Sequence, residues 1–113
     1  MKTTVEILKE AYGLIKNPAH WAQGCFCRKK NGNYTDWDNA HSYCANGAIL
    51  AISYKNHVDY TEPYNALKSA SFKLFGTAVI RVNDDQNLDL LEVHKNICLL
   101  YEEAITEAEL LDK

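Results

Sequence analysis

The chain has 113 residues, a net charge of −3 and 47% apolar residues. That length suits one domain, 1–113, with a real core. The mildly acidic balance excludes a broad phosphate-binding face, which needs clustered Lys and Arg.

No apolar run approaches the ~20 residues needed to cross a bilayer. Met1-Lys2-Thr3-Thr4 leads straight into an amphipathic pattern, without a signal peptide's apolar stretch. A cytoplasmic protein without membrane contact is expected. In that compartment Cys25, Cys27, Cys44 and Cys98 remain free thiols.

The first helix is expected over Thr4 to Lys16. Thr3 and Glu6 form a capping-box start, and Val5, Leu8, Tyr12 and Ile15 fall on one stripe. Asn17-Pro18 stops it, because the residue before proline avoids the helical region. Trp21 to Lys29 reads as a strand. Asn31-Gly32 reads as a type I′ hairpin turn, with a brief return strand at Asn33 to Thr35. Arg28-Lys29-Lys30 is then a solvated tip.

Asp38 is the expected N-cap of a second helix, Asn39 to Tyr54. Ala40, Cys44, Gly47, Ala48 and Ala51 give it a stripe of small residues, which suits a central buried helix. A third helix starts near Thr61-Glu62-Pro63, with proline in the first turn, and stops at Gly76. The segment 78–82 reads equally as strand or helical turn. The last and longest helix is expected over Leu88 to Leu111, with Leu91, His94, Cys98, Tyr101, Ile105 and Leu110 at helical spacing. The fold class is therefore α+β, mainly α: about four helices, with a two-stranded β-hairpin between the first and second.

Two distant motifs carry what chemistry there is. One runs from Trp21-Ala22-Gln23-Gly24 to Tyr43-Cys44-Ala45-Asn46-Gly47. The other is Val82-Asn83-Asp84, with His94 ten residues on. A thiol beside an imidazole can act as a nucleophile, with Asp84 or Asn83 orienting the ring. On this pattern Cys44, His94 and Asp84 are the catalytic candidates of a thiol hydrolase or transferase. Against it, a cysteine six residues inside a helix lacks the dipole of the first turn. His94 shares an apolar face with Leu91, Cys98 and Tyr101, and Asn83-Asp84 suits a turn.

A small-ligand domain would instead gather Trp21, Asn83, Asp84 and His94 around one pocket. No cofactor motif is present. Cys25 and Cys27 are one residue apart, less than the usual zinc spacing. His20 and His41 could complete a set, but small buried hydrophobes are the expected role of these cysteines, and no metal site is assigned. Trp21 and Trp37 flank the hairpin with few basic neighbours, which argues against nucleic acid.

In these motifs the chain resembles an uncharacterised family, the domain of unknown function numbered 6197, with members in actinobacteria and phages. The resemblance rests on Trp21, Gly24, Cys44, Gly47-Ala48, Asn83-Asp84 and His94, and it spans roughly Ile15 to Ile105. Two positions depart from the family's pattern. Val82 stands where the family has an aromatic residue, and the loop to His94 is longer. The resemblance implies no activity; it supports the fold and suggests a phage origin.

By elimination the expected function is a small cytoplasmic interaction module without chemistry of its own, directed at a protein partner such as a host protein. Its surface would be the hairpin tip or the acidic tail of the last helix. A homodimer through Leu99, Leu100 and Leu111 is a further possibility.

Overall fold

The computed structural model of the chain describes residues 2–111. In chain order its elements are α1 (Thr4–Ile15), β1 (Cys27–Arg28), β2 (Ser42–Tyr43), α2 (Ala45–Asn56), α3 (Thr61–Phe75), α4 (Val79–Asn83) and α5 (Leu90–Leu111). The fold is α+β and mainly helical. A two-stranded antiparallel hairpin lies between the first and second helices. The segment 78–82, which the sequence leaves open, is helical and supplies one helix more than the four expected.

The start of α1 follows its sequence closely. The Thr3 hydroxyl accepts the Glu6 N–H at 3.2 Å, and the Glu6 carboxylate accepts the Thr3 N–H at 3.0 Å. Two otherwise unpaired donors are thus satisfied. Ile7, Leu8, Ala11 and Ile15 are buried, while Val5 and Tyr12 lie at the rim of the core. Pro18 opens a short 3-10 turn, Pro18–His20.

The strand expected over Trp21 to Lys29 shrinks to Cys27–Arg28. Its expected return strand at Asn33 to Thr35 is reduced to a single antiparallel bridge, Arg28 with Tyr34, and the longer pairing is with Ser42–Tyr43, Cys27 opposite Tyr43 and Arg28 opposite Ser42. The cause is Gly24, whose φ of 79° breaks the extended run. Residues 22–26 become a strap fastened by side chains along its length and by backbone bonds to Tyr43 and Cys44 at its ends. The turn is not type I′ either, since Gly32 has φ 89° and Asn31 is not left-handed. The Gly32 N–H reaches the Lys29 carbonyl at 2.9 Å, and the Lys29 N–H reaches the Asn33 carbonyl at 2.8 Å. This is the three-residue loop in which glycine takes the left-handed position. Near the strands, Arg28 is not a free tip charge. Its guanidinium donates to the carbonyls of Gly32 and Gln23, at 2.9 and 3.0 Å.

The second helix starts six residues later than expected. Asp36, not Asp38, caps a 3-10 turn over Trp37–Asn39. Ser42 and Tyr43 are held extended by β1, and the Cys44 N–H donates to the Phe26 carbonyl at 3.1 Å. An extended backbone there forbids helix before Ala45. Asn39, His41, Ser42, Tyr43 and Cys44 are all weak helix formers, so the pairing meets little resistance.

The third helix ends at Gly76 with φ 69°, as expected. α5 begins two residues after Leu88, where the Asp89 carboxylate accepts the Glu92 N–H at 2.9 Å. Its buried face is wider than the expected stripe. Val93, His94, Ile97, Leu100, Tyr101, Ala104 and Ala108 face inward, whereas Leu91 and Leu110 are exposed. The width follows from several partners, since α5 packs against α1, α3 and α4.

Leu8, Ile15, Ile49, Leu67, Ile97 and Leu100 are fully buried in one cluster. Each contributes on the order of 1.5–3 kcal/mol relative to exposure. Leu100 therefore belongs to the core, not to a dimer surface. Tyr101 is fully buried too, and its hydroxyl donates to the Ala45 carbonyl at 2.6 Å. That bond ties the long helix to the start of α2.

Candidate functional site

Four segments converge at the N-terminal end of α2: the strap 22–26, Cys44, the first turn of the helix and the end of α4. Cys44 has an extended backbone, φ −77° and ψ 173°, and its sulfur accepts the Gly47 N–H at 3.2 Å. It is the N-cap of the helix, not a residue six positions inside it. The helix dipole does reach this thiol, contrary to expectation. Burial nevertheless wins. It pushes the Cys44 thiol up to about 11, against the pull of the Gly47 and Asn46 N–H groups, and Asp84 and Cys25 add to the rise. At neutral pH the sulfur is a protonated cap.

Gly47 explains the small-residue stripe. A Cβ there would stand 2.0 Å from the Phe26 carbonyl oxygen, so only glycine lets the strap lie on the helix.

Asn83 is the hub of the site. It is 2% exposed. Its Oδ1 accepts the Trp21 indole N–H at 2.8 Å and the Ala45 backbone N–H at 3.0 Å. Its Nδ2 donates to the Ala22 carbonyl at 3.0 Å and to Asp84 Oδ1 at 2.8 Å. The Gln23 amide donates to the Asn83 carbonyl at 2.9 Å, and the Gly24 N–H donates to Asp84 Oδ1 at 2.9 Å. One short carboxamide thus joins α4, the strap and the start of α2 with every side-chain valence used.

His94 belongs to the same body but does other work. Its Nε2 lies 2.8 Å from the Ile15 carbonyl, which only accepts, so this nitrogen carries the proton. Its Nδ1 lies 3.8 Å from the Cys98 sulfur, and its ring stands edge-on to Trp21 at 5.4 Å. Cys44 and His94 share no hydrogen bond among the described residues, and their partners are different. The nucleophile–base pair is therefore not assembled. Trp21, Asn83, Asp84 and His94 form a connected row, but they do not line one pocket.

The cysteines and histidines weighed for zinc have other partners. His20 Nδ1 lies 2.7 Å from the His41 carbonyl, and the two rings stand 4.5 Å apart. Cys27 donates to the Thr35 carbonyl at 3.2 Å. Among the described residues no three His, Cys, Asp or Glu side chains converge to hold a metal ion.

Beside the hub lies a cavity of about 190 Å³, walled by Phe26, Val79 and Ile80 and bordered by Cys44, Asn46 and Asp84. Asn46 is the residue that sequence reasoning missed. It is 8% exposed, and its Oδ1 has no hydrogen-bond partner. The available signal was a lone carboxamide inside Cys44-Ala45-Asn46-Gly47-Ala48, where a capping residue is no longer needed.

A family model described as a family of unknown function, DUF6197, matches residues 1–95. No curated protein and no solved structure matches the chain.

Proposed function

Because the chain belongs to this family of unknown function, its role has to be read from its own surface, and we propose that it is a non-catalytic protein-interaction module of the cytoplasm. The observation that carries this reading is an apolar shelf at the start of α5. Leu88, Leu90 and Leu91 are 40%, 62% and 74% exposed. Leu90 and Leu91 flank a groove that also includes Pro18, Ala19 and Trp21. Three large aliphatic side chains held in water beside a groove suit a partner's surface. Four free thiols suit a reducing compartment. A phage setting, implied by the family resemblance, would make the partner a host protein.

The thiol-enzyme reading is not favoured, because the thiol is a protonated helix cap and the imidazole is held on another carbonyl. Photo-crosslinking in the expressing cell tests the proposal. A photoreactive residue at Leu91 should give one discrete adduct with another protein, and the same residue at Lys30 should give none. An adduct between two copies of the chain would replace the partner with a homodimer. Absence of any discrete adduct at Leu91 would overturn the proposal.

A further inference from the structure

We propose that the groove between α1 and the second half of α2 binds a neutral oligosaccharide. Two adjoining hollows of about 480 and 390 Å³ make up this groove, and they share Leu14, Ile52 and Lys55. Each falls within the ~300–1,000 Å³ range of small-ligand sites. Neither shares a residue with the groove beside Leu90 and Leu91.

The groups around the groove select its ligand. One end is bordered by Trp37, Tyr43 and Tyr54, and also by Asp38, Lys55 and His57. Among the described residues, none of these side chains makes a hydrogen bond or ion pair within the chain. The Trp37 N–H and the Tyr43 hydroxyl sit on half-buried residues, yet water reaches both. The groove beside Leu90 differs. Its Trp21, Gln23 and Arg28 donors are taken by the Asn83 side chain and by backbone carbonyls.

An indole N–H and an ammonium only donate, a carboxylate only accepts, and a phenol does both. Hydroxyl groups answer all of them. The formal charges also balance: Lys55 against Asp38, and Lys2 against Glu10, its ion-pair partner at 2.9 Å. A neutral ligand is therefore favoured over a phosphate or a polyamine. The aromatic rings carry negative faces, which attract the weakly positive C–H bonds of a pyranose ring. Hydroxyls around the rim of a ring with C–H faces are the make-up of a neutral sugar. An extended peptide would instead need unpaired backbone groups to add to. The backbones of α1 and α2 bond internally, and Tyr43 is paired with Cys27 and bridged to Trp21.

Gly13 is the independent observation. It lies inside α1 on the wall of the second hollow, without a positive φ. A Cβ there would meet nothing within 4 Å. Glycine inside a helix is unfavourable relative to alanine. Neither conformation nor packing within the chain calls for glycine here. A chain of sugar rings passing close over the α1 backbone does.

The test is an NMR titration of the full isotope-labelled chain with cellotriose, maltotriose and tri-N-acetylchitotriose. At least one should give saturable shifts of the Trp37 indole N–H and the Gly13 amide. The Trp21 indole N–H, bonded to Asn83, should not move. End-blocked trialanine and adenosine are the peptide and stacking-base matches, and neither should give those shifts. Tyr54 is 55% exposed, so Tyr54→Ala should keep the fold and weaken the trisaccharide by about tenfold. Gly13→Ala is the arm that misfolding does not imitate. It should raise the melting temperature and still weaken the trisaccharide by about tenfold. The proposal is overturned if none of the three trisaccharides gives a saturable shift at any soluble concentration. It is also overturned if the blocked peptide or adenosine binds as tightly, or if Gly13→Ala binds unchanged.

Discussion

At the scale of single residues, Asn83 carries more of the architecture than any other polar side chain. Its carboxamide satisfies Trp21, Ala45, Ala22 and Asp84 at once, in a position nearly sealed from water. Removing it strands at least two buried partners, each at about 1–3 kcal/mol. Asn83→Ala should therefore lower stability by about 3 kcal/mol or more in a urea titration. A loss below about 1 kcal/mol would mean that water replaces the amide freely. Asn83→Asp should also destabilise, because a carboxylate cannot donate to the Ala22 carbonyl. The sequence singled out Asn83-Asp84 but read the pair as a turn. What it could not reveal is that Ala45 lies 38 residues upstream, and Ala22 and Trp21 lie 61 and 62.

At the scale of elements, the packing of the strap onto α2 depends on one missing methyl group. Gly47→Ala places a Cβ against the Phe26 carbonyl, a backbone atom with no side-chain freedom to yield. The helix itself gains from alanine by about 1 kcal/mol. The clash should outweigh that gain, for a net loss of about 1–3 kcal/mol. Calorimetry of the variant checks the sign, and a higher melting temperature would show that the strap is free to lift.

Legibility follows the same division. The capping box of Thr3 and Glu6, the stop at Gly76 and the hairpin's place in the chain are local features, and the sequence reading holds for each. The start of α2 and the partner of β1 are not local. They depend on Phe26 and Cys44 meeting across eighteen residues, which no short pattern encodes. The inward face of α5 was half legible. His94 and Tyr101 were expected inside and are, but a helix gripped from two sides buries a broader face than one stripe.

At the scale of the whole molecule, the interior holds several acids in their neutral form. Burial raises the thiols of Cys27, Cys44 and Cys98 and the phenols of Tyr12, Tyr43 and Tyr101. A raised value means that the unfolded chain loses these protons first. Stability is thus fully present well below pH 9 and falls as pH climbs through 9 toward the folded values. Cys44 alone, moving from 9.0 to about 11, contributes a fall of about 1.4 kcal/mol per pH unit across that window. Urea midpoints at pH 7.5, 9 and 10 should decline in that order, and a midpoint that is flat to pH 10 would contradict the burial assigned to these groups.

The account rests on the sulfur of Cys44 serving as a protonated fastener in place of a nucleophile. The most direct measurement is the alkylation rate of Cys44 against pH, in the chain carrying Cys25→Ser, Cys27→Ser and Cys98→Ser. The predicted result is slow labelling at pH 7 that climbs with each pH unit without levelling off below pH 10, unchanged by His94→Gln once unfolding is allowed for. A fast rate that plateaus near neutral pH and collapses with His94→Gln would contradict it.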